Sequence, residues 1–171
     1  TLSLEIDPNY GDAHYNLAKL YHDLKRFTEA EEEIKKATAL DPNQPDNHLE
    51  AGLIYVETNR TQAAYNEFLK VLELDPKNTE ALNNLGIMFG MNGKYEEAEE
   101  KFKKVLEISP DNLDSAINLS QTYIQTNNLD SAIEVLKKSL RLNPNSSDLY
   151  YSIGKVFQMK GLKEEARKSF D

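Results

Sequence analysis

The chain has no cysteine and no tryptophan, and only seven glycines and six prolines in 171 residues. Without cysteine there is no disulfide framework, no thiolate metal site and no cysteine nucleophile. No apolar run approaches the roughly 20 residues that a membrane-spanning helix needs. Basic charge is short as well: 20 Lys+Arg stand against 29 Asp+Glu, a formal charge of −9. A nucleic-acid binder normally shows a basic face, so no nucleic-acid partner is expected. The opening residues, TLSLEIDPNY, have neither the basic start nor the apolar stretch of a signal peptide. Nothing here names a compartment, and the cytoplasm is the default expectation. At 39% hydrophobic, the chain can still bury a core.

What is present is a period. Pro8, Pro42, Pro76, Pro110 and Pro144 follow one another at intervals of 34 residues, each closing a similar phrase: LEIDPN, TALDPN, LELDPK, LEISPD, LRLNPN. A fixed period of this size marks an array of repeated units, and an apolar segment that ends in a polar residue and proline reads as a helix stop. On this register the chain divides into residues 1–10 (the end of a preceding unit), then units 11–44, 45–78, 79–112, 113–146 and a shortened 147–171.

Other columns fall into line on that register. Ala30, Ala64, Ala98, Ala132 and Ala166 recur, as do the aromatics Tyr21, Tyr55, Phe89, Tyr123 and Phe157. Ala18, Gly52, Gly86, Ser120 and Gly154 are all small, and Ile34, Phe68, Phe102, Leu136 and Phe170 are all large and apolar. In the third unit Leu82, Leu85, Gly86 and Phe89 share one helical face, and a second helix runs from about Tyr95 to Ile108. A turn separates the two at Gly93, with Lys25, Asn59, Asn127 and Gly161 in the equivalent places; Gly and Asn suit a left-handed helix cap. Each unit is therefore a helical hairpin, which cannot cover its apolar face alone but can do so in a stack.

Leu85, Gly86, Phe89, Ala98, Phe102 and Pro110 carry the pattern in which this chain resembles the tetratricopeptide repeat (TPR) family, and the resemblance covers its whole length. It implies an all-α fold, a right-handed α-solenoid of 34-residue helix–turn–helix repeats. Two columns depart mildly from the family: His14, His48, Leu82, Ala116 and Tyr150 stand in its tryptophan column, and Ser139 replaces a small apolar residue. Both ends fall inside a repeat: Leu2, Leu4, Ile6 and Pro8 match the end of a second helix, and Phe170–Asp171 lie within another. A longer parent array is the expectation.

The residues offer no catalytic or metal constellation, so neither enzyme activity nor a cofactor is expected. His14 and His22 lie eight residues apart on one helix, roughly 12 Å along its axis, too far to share an ion. The glycines of GIMFGMNG follow no strand, as a phosphate loop would. The charge-rich stretches EAEEEIKKA and EEAEEKFKKV read as solvated helix faces with acid–base pairs three or four residues apart. The acidic column Asp12, Asp46, Glu80, Asp114 and Asp148 falls in the first turn of each first helix, where a carboxylate complements the helix dipole. The same column, with the net charge, can also recruit basic residues that flank a ligand.

The resemblance implies that the first helices line a concave groove. Asn16, Asn84 and Asn118 stand in one of its columns, broken by Glu50 and Ser152, and a similar asparagine column grips peptide backbone in the superhelix of O-linked N-acetylglucosamine transferases. Leu49, Leu53, Val56, Ile87, Met91, Ile117 and Ile124 form an apolar strip beside it, which the resemblance implies the hairpin core does not need. Flanking columns also hold Tyr151, Gln121 and Lys155, and Gln125 and Met159. A clamp for acidic chaperone tails is not expected, because Tyr15, Lys19, Glu50, Glu80 and Asn84 occupy its places. The expected function is a non-catalytic interaction module that binds a peptide or partner helix. The alternatives are a substrate-recruiting arm of a larger enzyme, such as a glycosyltransferase, and a scaffold that self-associates through its repeat ends.

Overall fold

The computed structural model describes residues 10–170. The expected end of a preceding helix, with Leu2, Leu4, Ile6 and Pro8, lies outside them, as does Asp171. The described residues form helices and turns with no strand. Helices pair in sequence: α1 (Gly11–Asp23) with α2 (Phe27–Leu40), α3 (Pro45–Glu57) with α4 (Thr61–Leu74), and α5 (Thr79–Met91) with α6 (Tyr95–Ile108). α7 (Leu113–Gln125) with α8 (Leu129–Leu142) and α9 (Ser147–Met159) with α10 (Lys163–Phe170) follow.

Local chemistry sets the helix ends. Asn112 Oδ1 accepts from Ser115 N at 2.8 Å and Ser146 Oγ from Leu149 N at 3.4 Å, capping α7 and α9. Asn78 Oδ1 does the same for α5 through Ala81 N at 2.9 Å. Pro45 opens α3, where its missing N–H costs nothing. Asp12, Asp46, Glu80, Asp114 and Asp148 all stand in first turns, facing the positive end of the helix dipole. Inside each hairpin the turn residue takes a left-handed backbone: Lys25 at φ 57°, Asn59 at 56°, Gly93 at 73°, Asn127 at 57° and Gly161 at 76°.

The chain forms two compact units, one up to Ala81 and one from Leu82 onward. In the first, Ala18, Ala30, Ile34, Ala37, Ala51 and Ile54 make a core flanked by Tyr15, Tyr21 and Tyr55. Polar pairs tie its helices together. His14 Nδ1 lies 2.5 Å from Glu33, linking α1 to α2, and His48 Nδ1 lies 2.7 Å from Glu67, linking α3 to α4. His48 Nε2 donates to Pro42 O at 2.9 Å. Arg60 forks onto both oxygens of Glu31 at 2.7 Å each and stacks over Tyr55.

The second unit packs Ala98, Phe102, Leu119, Tyr123, Ala132, Leu136, Leu149, Ile153 and Val156 into one core. The small column is where paired helices touch. A Cβ added at Gly86 would lie 2.6 Å from Phe102, and in the first unit one at Gly52 would lie 2.6 Å from Phe68. Gly154 meets Phe170 in the same way.

Candidate functional site

The expected groove residues divide between the two units. In the first, Asn16 and Val56 are exposed and Leu49 and Leu53 half-buried on α1 and α3. Glu50, in the asparagine column, is only 6% exposed, and its carboxylate accepts from His22 Nδ1 at 2.7 Å. That column position is thus closed by an internal pair joining α1 to α3. All three histidines face a glutamate. Among the described residues no group of three or more His, Asp or Glu is placed to hold a metal ion.

The second unit carries a groove of two adjoining clefts. One, of about 360 Å³, is lined by Gly86, Ile87, Gly90 and Met91 of α5, Tyr95 and Phe102 of α6, and Asn118, Gln121, Thr122 and Gln125 of α7. The other, of about 480 Å³, lies between α7 and α9; Ile117, Ile124, Gln121 and Gln125 face Asp148, Tyr151, Ser152, Lys155 and Met159. Gln121 and Gln125 line both, so the two clefts adjoin along α7. Of the expected contacts in this unit, Ile87, Met91, Ile117, Asn118 and Ile124 line the groove, whereas half-buried Asn84 does not.

The floor is uncharged except at one end, where Asp148 and Lys155 stand. Along it Met91 is 83% exposed, Tyr151 58% and Met159 56%. Lys155 lies over the Tyr151 ring, 5.4 Å from its centre. Asn118 Nδ2 donates to Asn83 Oδ1 at 3.2 Å, and that oxygen also accepts from the Ser115 hydroxyl at 3.0 Å. Part of the Asn118 hydrogen-bonding capacity is therefore spent within the chain.

Two features differ from the sequence reading. The apolar strip was expected to be dispensable for the core, yet Ile117 and Ile124 also pack against it. Gln121, Gln125, Tyr151, Lys155 and Met159 line the groove although sequence reasoning left them in flanking columns. Their signal was column position alone, because polar and apolar residues are mixed there from unit to unit. Of the acidic column, Asp148 lines the groove. Among the described residues no helix is long and apolar enough to cross a membrane.

One tetratricopeptide-repeat family model matches residues 3–51 and 91–156, and two others match 67–100 and 45–78. No curated protein sequence matches significantly. Among solved structures, PilF of Pseudomonas aeruginosa is similar at TM-score 0.82 and 25% identity, over 93% of this chain and 72% of that one. A MamA protein is similar at TM-score 0.80 and 25% identity, over 94% and 87%. YrrB, described as a TPR protein with an unusual peptide-binding site, has the same fold at TM-score 0.78 and 20% identity, over 99% and 87%. Members of the matched family are generally non-catalytic interaction modules. With its hairpins, its repeated columns and these matches, the chain belongs to the tetratricopeptide repeat family, an all-α class of right-handed solenoids.

Proposed function

We propose that this chain is a receptor for a segment of a partner protein, held in the groove along α5, α7 and α9. The observation that carries this is the pair of adjoining, largely uncharged clefts with Met91, Tyr151 and Met159 exposed along them. Methionine and tyrosine offer large contact area with adaptable or amphipathic shape. Side-chain amides at Asn118, Gln121 and Gln125 both donate and accept, matching the backbone of an extended segment. The ligand is thus an apolar, largely uncharged segment. A basic residue in it belongs at the Asp148 end, and an acidic one beside Lys155.

In this reading Asn16, Leu49, Leu53 and Val56 of the first unit form a second stretch of contact. The 34-residue frames from 11–44 onward are the units that present these columns. The groove works by shape and hydrogen bonding alone and needs no cofactor.

The test is selection from a displayed random-peptide library on the purified chain, with Met91→Asp/Tyr151→Asp beside it. Both substituted side chains are well exposed, so helicity should not change. Selected peptides should be apolar and lose more than about tenfold in affinity for the double variant, as truncation of central interface contacts does. Equal affinity for the two proteins would sink the reading.

A further inference from the structure

The chain holds three methionines, all in the second unit, and the fold treats them differently. Met88 is buried, at 8% exposure, whereas Met91, one turn further along the same helix, is 83% exposed and Met159 56%. Met91 and Met159 stand two repeats apart in one column, with Gln125 between them. Met91 lines the cleft between α5 and α7, Met159 the cleft between α7 and α9, and Gln125 both. In the first unit the same column holds Asp23 and Glu57, which carry no sulfur.

These thioethers are the only sulfur in the chain, because there is no cysteine to react ahead of them. A thioether lone pair attacks one oxygen of a peroxide, and an S–O bond forms as the O–O bond breaks. Sulfur gives up two electrons, and the proton of the attacked oxygen passes to the other, which leaves as water. Hydrogen peroxide is the oxidant and the sulfoxide the product. The step needs room for the peroxide at sulfur and water to solvate the departing oxygen. Exposure therefore selects Met91 and Met159 over Met88.

Oxidation turns a soft apolar side chain into a polar, chiral one. Against an apolar ligand the new oxygen must give up its water without gaining a partner. The fold is spared, since side chains this exposed support no core packing.

We propose that Met91 and Met159 are a paired, reversible oxidation site through which hydrogen peroxide switches off binding in the second unit. The loss of binding rests on the groove reading above; the selective oxidation does not.

Limited peroxide treatment of the folded chain should add oxygen at Met91 and Met159, located by peptide fragmentation, and leave Met88 untouched. In denaturant all three should oxidise alike. A peptide free of methionine and cysteine, selected from the displayed library on the untreated chain, is the binding probe. Once peroxide has been removed, the oxidised chain should bind it more than about tenfold more weakly, with far-UV circular dichroism unchanged. Methionine sulfoxide reductases for both epimers, with a thiol reductant, should restore mass and affinity together. Met91→Leu/Met159→Leu should show the same affinity before and after peroxide.

Oxidation of Met88 as fast as Met91 in the folded chain overturns the site. Affinity unmoved by the two sulfoxides, or lost to the same degree in the leucine variant, overturns the switch and leaves the groove standing. An untreated chain that selects no peptide overturns the groove reading, and the switch falls with it.

Discussion

Five residues of different kinds adopt one backbone conformation: Lys25, Asn59, Gly93, Asn127 and Gly161. The hairpin demands a left-handed residue, and the side chain must tolerate it. Gly93 isolates that demand, because a Cβ built there meets nothing within 4 Å. Gly93→Ala should therefore destabilise through the backbone alone, by about 1 kcal/mol, read as a lower denaturant midpoint with unchanged helicity.

At the same scale, the forked Arg60 guanidinium holds the Glu31 carboxyl well below its ordinary 4.5, at about 2. A carboxylate depressed on folding adds stability that is present in full above its unfolded value. That stability is lost as pH falls through the folded one. Melting temperature should fall between about pH 4.5 and about pH 2, and Arg60→Ala should flatten this part of the profile.

Between elements, each small residue of a first helix answers to a large one of the second: Ala18 to Ile34, Gly52 to Phe68, Gly86 to Phe102, Ser120 to Leu136, Gly154 to Phe170. Phenylalanine occurs only opposite glycine, and the distances explain why. With the Gly86 Cβ at 2.6 Å from a ring only 2% exposed, neither side can give way freely. Alanine in a helix gains about 0.5–1 kcal/mol over glycine, but overpacking costs about 1–3, so the clash wins. Gly86→Ala should lose about 1 kcal/mol in urea unfolding, and Phe102→Leu in the same molecule should recover most of it. The Ala18–Ile34 and Ser120–Leu136 pairs already show that a smaller partner accommodates a Cβ. Simple additivity of the two losses would contradict the pairing.

For the molecule as a whole, a repeat touches its neighbours, so damage is read locally. Leu136, fully buried in the core of the second unit, is the place to show it. Leu136→Ala should cost about 3 kcal/mol by leaving a cavity. Hydrogen-exchange protection should drop across α7, α8 and α9 while α1 and α2 keep theirs. A uniform loss along the chain would mean that it unfolds as a single cooperative block.

The hairpins, the turn positions and the small and large columns were all legible in the sequence. A 34-residue period repeats each packing demand several times, so one residue type in a column is tested against the others. The family followed from the same columns. Two things came only from the tertiary structure, because each depends on which side chains meet across helices. Glu50 sits in the asparagine column like a ligand contact, but its carboxylate is spent on His22 from another helix. Gln121, Gln125, Tyr151 and Met159 join Ile117 and Ile124 in one groove, although their own columns hold no constant chemistry.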